Sequence, residues 1–458
     1  MHGFNRLGLS ACAVLGLLAG CTASVDPRED IALSARHVED RTGQAPGWSS
    51  PAAPNGQGLR DGDEPLTVRR AVLLALRDNP GIRADLARIA AARADLAQAG
   101  LLPNPVLSAS LGLDVEGDSA MLMGNAMQSL SSLWLRPSKQ AAARSALRQV
   151  VLRVSDNAIA LAATVEASHR RIVHYQAVLG ALAELRQALV RGERAARDQF
   201  AAGMGTSLEA NRLQAEVLAT VARERTTGKK LDVEKRTLLE LLNRADGPTD
   251  WQAAPAAESA DAVPDEHTLA ALARRQRLDV LAAGWAVKAS RARLRQAELD
   301  ARGDFDIGLM LERENPRKGE TKTAIGPAVR AEVPVFDGGE PRIAKARAEL
   351  SRTRLQARLV EQQAVREVRQ ASRRLRTAGD QVRAYRTELL PLAVRNTREA
   401  RAAFDAGMAD LVDVIAAERD RIKVALDLQQ FELDRDLSRI ALARAVGGKL
   451  LLAPTSQP

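Results

Sequence analysis

Aromatic side chains are scarce in this chain: four Trp, two Tyr and six Phe among 458 residues. Stacking platforms for single-stranded nucleic acid need successive rings, so the net charge of +9 does not by itself indicate nucleic acid. Cysteine is nearly absent, with Cys12 and Cys21 both in the first 21 residues, which excludes a disulfide framework. Gly and Pro are clustered rather than spread along the chain, unlike a protein of many short strands. No segment approaches eighteen consecutive apolar residues, so a membrane role beyond an anchor requires a barrel. Catalytic signatures are missing too: there is no phosphate-binding Gly loop, no Cys-rich metal motif and no Ser nucleophile elbow. His169 and His174 lie about 140° apart around a helix and read as solvated positions rather than metal ligands. Met121, Met123 and Met127 cluster, and read as packing or lipid-facing side chains rather than a soft-metal site.

What the chain does contain is 46% hydrophobic residues, mostly Ala, Leu and Val, which favour long helices. Arg6 followed by the apolar stretch Leu7 to Leu18 has the form of a secretory signal, too short to span a bilayer. Leu18-Ala19-Gly20-Cys21 resembles a bacterial lipobox, which would remove residues 1–20 and acylate Cys21. Thr22, rather than Asp, follows and resembles outer-membrane sorting. Residues 21–64 are rich in Pro, Gly, Ser and Asp and are expected to form an extended, lipidated leader. A similar stretch at 244–265 is expected to be a linker between two halves, and residues 448–458 a tail.

The halves superpose in sequence. At an offset of 204, Pro137, Phe200, Gly203 and Met204 map onto Pro341, Phe404, Gly407 and Met408. At 198, Ile82, Ala94, Leu96, Gln98-Ala99 and Leu113 map onto Val280, Ala292, Leu294, Gln296-Ala297 and Leu311. Such self-similarity signals a duplicated unit, here 65–243 and 266–447.

Each unit opens with helical sequence and then changes period. Val106 to Val115, Phe305 to Leu311 and Ala328 to Phe336 alternate apolar with small or polar residues, as strands do. The fourth strand is expected within Met121 to Leu135, so the strand regions are about 105–135 and 305–336. Pro137 and Pro341 suit the first turn of the helices that follow. Stretches 138–202 and 342–406 lack helix-stopping punctuation and would each run roughly 100 Å. Ala364, Ala371, Ala378 and Tyr385, with Val368, Leu375, Val382 and Leu389, make a heptad seam. After Gly203 and Gly407 the chain returns, giving helical hairpins 138–243 and 341–447. The basic run from Arg342 to Arg376 reads as a solvated or lumen-facing surface.

In this order, the lipobox, Ala75-Leu76-Arg77-Asp78-Asn79-Pro80, Leu102-Pro103-Asn104-Pro105, Val333-Pro334-Val335-Phe336-Asp337-Gly338-Gly339 and the paired Phe-x-x-Gly-Met turns resemble the TolC family of outer-membrane efflux ducts. The resemblance implies a mainly α chain with a membrane β-barrel: two tandem repeats, each a strand pair plus a long coiled-coil hairpin. Three copies would form a 12-stranded barrel on an α-helical periplasmic tunnel. It implies a passive, non-enzymatic duct without a cofactor, a homotrimer lipid-anchored in the outer membrane. Its partners would be a periplasmic membrane-fusion adaptor and an inner-membrane RND-type transporter, not nucleic acid. By the same resemblance the turns Gly203, Met204, Gly407 and Met408 would dock the adaptor. Asp413 would line a periplasmic gate, with Ala416 standing where a second aspartate is expected and Asp410 or Glu418 contributing from nearby turns. The alternatives are a type I secretion duct or a periplasmic coiled-coil scaffold without a barrel. The exported substrate is open between drugs, heavy-metal ions and other small molecules.

Overall fold

The computed structural model describes residues 25–48, 64–113, 119–255, 264–316 and 320–448; Cys21 and the signal lie outside the described residues. The elements run α1 (Arg28–Thr42), α2 (Val68–Asp78), α3 (Pro80–Gly100), β1 (Val106–Leu113), β2 (Ser119–Ser129), α4 (Ser131–Ala201) and α5 (Ser207–Leu241). The series then recurs as α6 (Glu266–Gln276), α7 (Leu278–Asp300), β3 (Phe305–Pro316), β4 (Lys322–Ala331), α8 (Glu340–Ala384), a π-helical turn (Tyr385–Leu389), α9 (Leu390–Asp405) and α10 (Leu411–Val446). Val68 and Glu266, which begin α2 and α6, stand 198 positions apart, and both helices have eleven residues. Ser207 and Leu411, which begin the returning helices, stand 204 apart. The duplication in the sequence is therefore a duplication of elements.

The chain divides into two compact units. One gathers 87–150 and 283–357 around a single antiparallel sheet in the order β1-β2-β3-β4. Val106 pairs with Met127, Leu122 with Arg313 and Leu311 with Ile325, without a bulge. Three sequence expectations change here. β4 spans 322–331 and the segment from Val333 to Phe336 is irregular, because Pro334 lacks the N–H that a strand would pair. β2 ends at Ser129, and α4 starts at Ser131, so Pro137 lies inside the helix rather than in its first turn. Pro341, by contrast, is the second residue of α8.

The other unit holds 30–86, 151–282 and 358–448. Its largest core joins α2, α4 and the end of α5 through Leu66, Leu76, Val165, Ile172, Leu238 and Trp251. A second joins α6, α8 and α10 through Leu269, Val368, Leu375 and Leu442. The heptad seam of α8 is buried at Ala364, Val368, Ala371, Leu375, Ala378 and Val382. It fails at Leu389, which is exposed; the π-helical turn shifts the phase, and Ala393 and Thr397 are buried in its place. A π-bulge adds a residue to one turn and so rotates the face that follows.

The leader is not wholly extended. Within it α1 buries Val38 and places Ser34 Oγ 2.8 Å from Ser155 Oγ. Nor is the stretch before α6 a bare linker: Trp251 is buried under the Lys235 ammonium, which donates to the Thr249 and Trp251 carbonyls. Leu66 and Ala253 bridge in parallel, with the Leu66 N–H donating to the Gln252 carbonyl at 2.8 Å.

Buried polar groups organise this unit. Arg277 donates to both Asp279 oxygens, to Glu367 at 2.5 Å and to the Ala445 carbonyl at 3.2 Å. Burial alone would lower its pKa, but the hydrogen bonds to Asp279 and Glu367 raise it further above the ordinary arginine value. His169, expected in solvent, is fully buried; its Nε2–H donates to the Leu66 carbonyl at 2.7 Å. Desolvation by burial lowers its pKa, and that of the half-buried His174.

Candidate functional site

The candidate site lies where α4 meets α5 and where α9 meets α10. Gly203 and Gly407 take φ of 74° and 72°, a left-handed conformation open to glycine at low cost. Met204 N–H donates to the Gln199 carbonyl at 2.9 Å, and Met408 N–H to the Ala403 carbonyl at 2.8 Å. These bonds close each helix end in a Schellman turn. No atom lies within 4 Å of where a Cβ would sit on either glycine, so dihedral freedom rather than lack of room selects glycine at both turns. Beyond the glycines Met204 and Met408 are 78% and 79% exposed, with Phe200, Phe404 and Leu208 exposed beside them in the two turns. Large apolar side chains are thus left in water at two equivalent turns, the pattern of an interaction surface.

Asp410 caps α10, and its backbone N–H donates to Asp413 Oδ2 at 3.2 Å. Both aspartates are exposed, so two carboxylates stand within the first turn, where the helix dipole favours negative charge. Glu418 does not join them. It is buried and bonded to Arg401, with Arg191 at 3.7 Å. Glu418, expected from the sequence as a contributor beside Asp413, is turned inward by the fold, where its charge is compensated by two guanidinium groups.

The Arg191–Glu418 pair also ties the two hairpins. Arg419 donates to Glu216 at 3.0 Å, linking α10 to α5, and Ile415 packs with Leu185, Leu189 and Leu213. A Cβ on Gly192 would stand 2.2 Å from Ile415 Cδ1, so α4 approaches α10 at a position that has no side chain. Arg191, Gly192 and Arg401 were not singled out by sequence, since an Arg one helix away from its Glu leaves no spacing signal. Among the described residues no group of three His, Cys, Asp or Glu side chains could hold a metal ion, and no helix is long and apolar enough to cross a membrane.

The sheet sorts its side chains by face. Leu107, Leu111, Leu113, Leu122, Ile307, Leu309, Leu311, Ile325 and Val329 share one face by register and are exposed. Ser108, Ser110, Asn125, Asp306 and Glu312 share the other. Alternation of this kind suits a sheet with lipid on one side and water on the other.

Residues 269–448 match the model of the family described as outer membrane efflux protein. No curated protein matches the chain. Among solved structures the chain is similar to the outer-membrane channel OprN, at 18% identity and a TM-score of 0.70 over 83% of this chain and 90% of that one. It is also similar to the outer membrane protein VceC of Vibrio cholerae, at 16% identity and a TM-score of 0.67 over 83% and 96% of the two chains. The open state of the MtrE outer membrane channel of Neisseria gonorrhoeae gives 17% identity and a TM-score of 0.68 over 83% and 89%.

Proposed function

We propose that the chain is the outer-membrane channel of a tripartite efflux pump and works as a passive homotrimeric duct; the match of residues 269–448 to the outer membrane efflux protein family and the fold shared with solved outer-membrane channels support this reading. The observation that carries this reading is the sheet: one face is apolar and exposed, and its two edge strands, β1 and β4, have no further partner among the described residues. In lipid an unpaired edge leaves backbone N–H and C=O groups unsatisfied at several kcal/mol each. Four strands cannot close on themselves, because even the smallest outer-membrane barrels have about eight. Three copies, each contributing four strands, remove every edge and give twelve.

In this reading the turns at Gly203-Met204 and Gly407-Met408 dock a periplasmic membrane-fusion adaptor, and an inner-membrane RND-type transporter supplies the energy. Cys21, acylated, anchors the chain in the outer membrane. Asp413, with Asp410, forms an acidic ring at the periplasmic constriction, while Glu418 braces the hairpins from inside. The duct carries no catalytic group and needs no cofactor besides the lipid. The test is electrical and biochemical together. Purified protein should run as a heat-modifiable trimer and open ion-conducting pores in planar bilayers; a monomer that conducts nothing would overturn the duct.

A further inference from the structure

Strand register fixes which side chains share a face. Met121, Met123 and Met127 occupy alternate positions on β2, and their cross-strand partners on β3 are Glu314, Glu312 and Gly308. Met310 pairs with Asn125 and so stands on the same face, diagonal to both Met123 and Met127. Diagonal neighbours on a sheet are about 7–8 Å apart, within reach of long side chains. Four of the seven methionines in the chain thus lie on one face of two adjacent strands. That face is the polar one, with Ser108, Ser110, Asn125, Glu312 and Glu314. The opposite face takes the branched aliphatic side chains apart from Val106, which pairs with Met127, and no methionine. Sorting by hydrophobicity alone would have mixed Met with Leu and Ile. The register thus sets these methionines apart from the aliphatic face.

Room has been left for the thioethers. A Cβ on Gly308 would stand 2.7 Å from Met127 Sδ and 2.0 Å from the Ala126 carbonyl oxygen, so Met127 lies across a position with no side chain. The other charges on this face are few: Asp306 is paired with Arg330 at 2.5 Å, and Lys322 stands across from Glu314. Glu312, directly across from Met123, faces uncharged Ala324 on its other side and adds negative charge beside the sulfurs. Thioether sulfur is a soft, neutral donor that selects closed-shell monovalent ions such as Cu(I) and Ag(I) over Zn(II), Mg(II) or K+. It holds them without the proton exchange that a thiolate or imidazole needs.

We propose that Met121, Met123, Met127 and Met310 form a thioether binding site for a soft monovalent cation on the polar face of the sheet. The placement of that site in the lumen rests on the duct reading; the binding itself does not. The test uses the full-length chain purified in detergent, labelled with [methyl-13C]methionine and titrated with silver nitrate in chloride-free buffer. The four strand methyl resonances should shift together and saturate at lower Ag(I) than those of Met204 and Met408, while K+ at the same concentration moves none. Replacing the four with Leu, close in volume, should weaken Ag(I) binding at least tenfold. Tip resonances that shift first, or equal affinity in wild type and in M121L/M123L/M127L/M310L, would overturn the site. If the quadruple variant does not fold, the order of shifts in the wild type decides alone. Potassium conductance in bilayers tests the duct separately: tight Ag(I) binding without conductance would remove the duct and leave the site standing.

Discussion

His169 is the residue whose environment sequence reasoning misjudged most. The Ala-rich helix around it gives no sign of a partner, yet the fold brings the Leu66 carbonyl to 2.7 Å and removes the ring from water. Burial holds its pKa below the ordinary value, so the native state keeps it neutral while the unfolded chain takes up a proton near pH 6.5. The unfolded state then binds more protons, and stability present above about pH 6.5 is lost as pH falls toward the native pKa. His174 acts in the same sense; Asp156, raised by burial despite the nearby Arg444, acts in the opposite one. In thermal melts at pH 7.5 and 5.5, His169→Gln should lose less melting temperature on acidification than the wild type. Equal losses would show that His169 is not the group that titrates.

At the scale of the element, the proposed docking and gating roles rest on the hairpin turns and the start of α10. Met204→Asp with Met408→Asp alters two side chains that are nearly four-fifths exposed, so trimers should form as before. Efflux, read as drug or metal-ion susceptibility of a strain lacking its own channel, should fall to the level of the empty vector if these turns dock the adaptor. Unchanged efflux would leave Met204 and Met408 as turn residues only. Asp413 serves α10 as well as the proposed gate, because it accepts from the Asp410 N–H. Loss of such a cap costs about 1 kcal/mol, so Asp413→Ala would mix two effects. Asp413→Asn keeps an acceptor and removes the charge. Three fewer carboxylates around a narrow pore should lower cation selectivity in bilayer recordings and weaken block by multivalent cations. A reversal potential identical to the wild type would take Asp413 out of the gate.

For the whole molecule the decisive quantity is the proposed trimeric assembly, which would close the sheet edges. Lipidation bears on where that assembly sits: Cys21 is the one cysteine left if residues 1–20 are removed. A tagged fatty acid should label the wild type and miss Cys21→Ser, and the variant should lose outer-membrane retention while keeping its fold. Equal labelling of both would sink the anchor.

Fold class, duplication and the two turns were legible in the sequence because each leaves a local mark. A change of period from 3.6 to 2 marks the strand hairpins, a fixed offset marks the repeat, and a glycine before an exposed methionine marks each turn. α1 was not legible, since its polar sequence holds together mainly by what Val38 and Ser34 meet on other elements. The partners of Glu418, the carbonyl that accepts from His169, the phase shift at Tyr385–Leu389 and the common face of Met121, Met123, Met127 and Met310 are also decided only in three dimensions. Each depends on which residue of a distant element stands across the gap. Periodicity fixes which side of its own helix or strand a residue occupies, but only packing and register decide what that side meets.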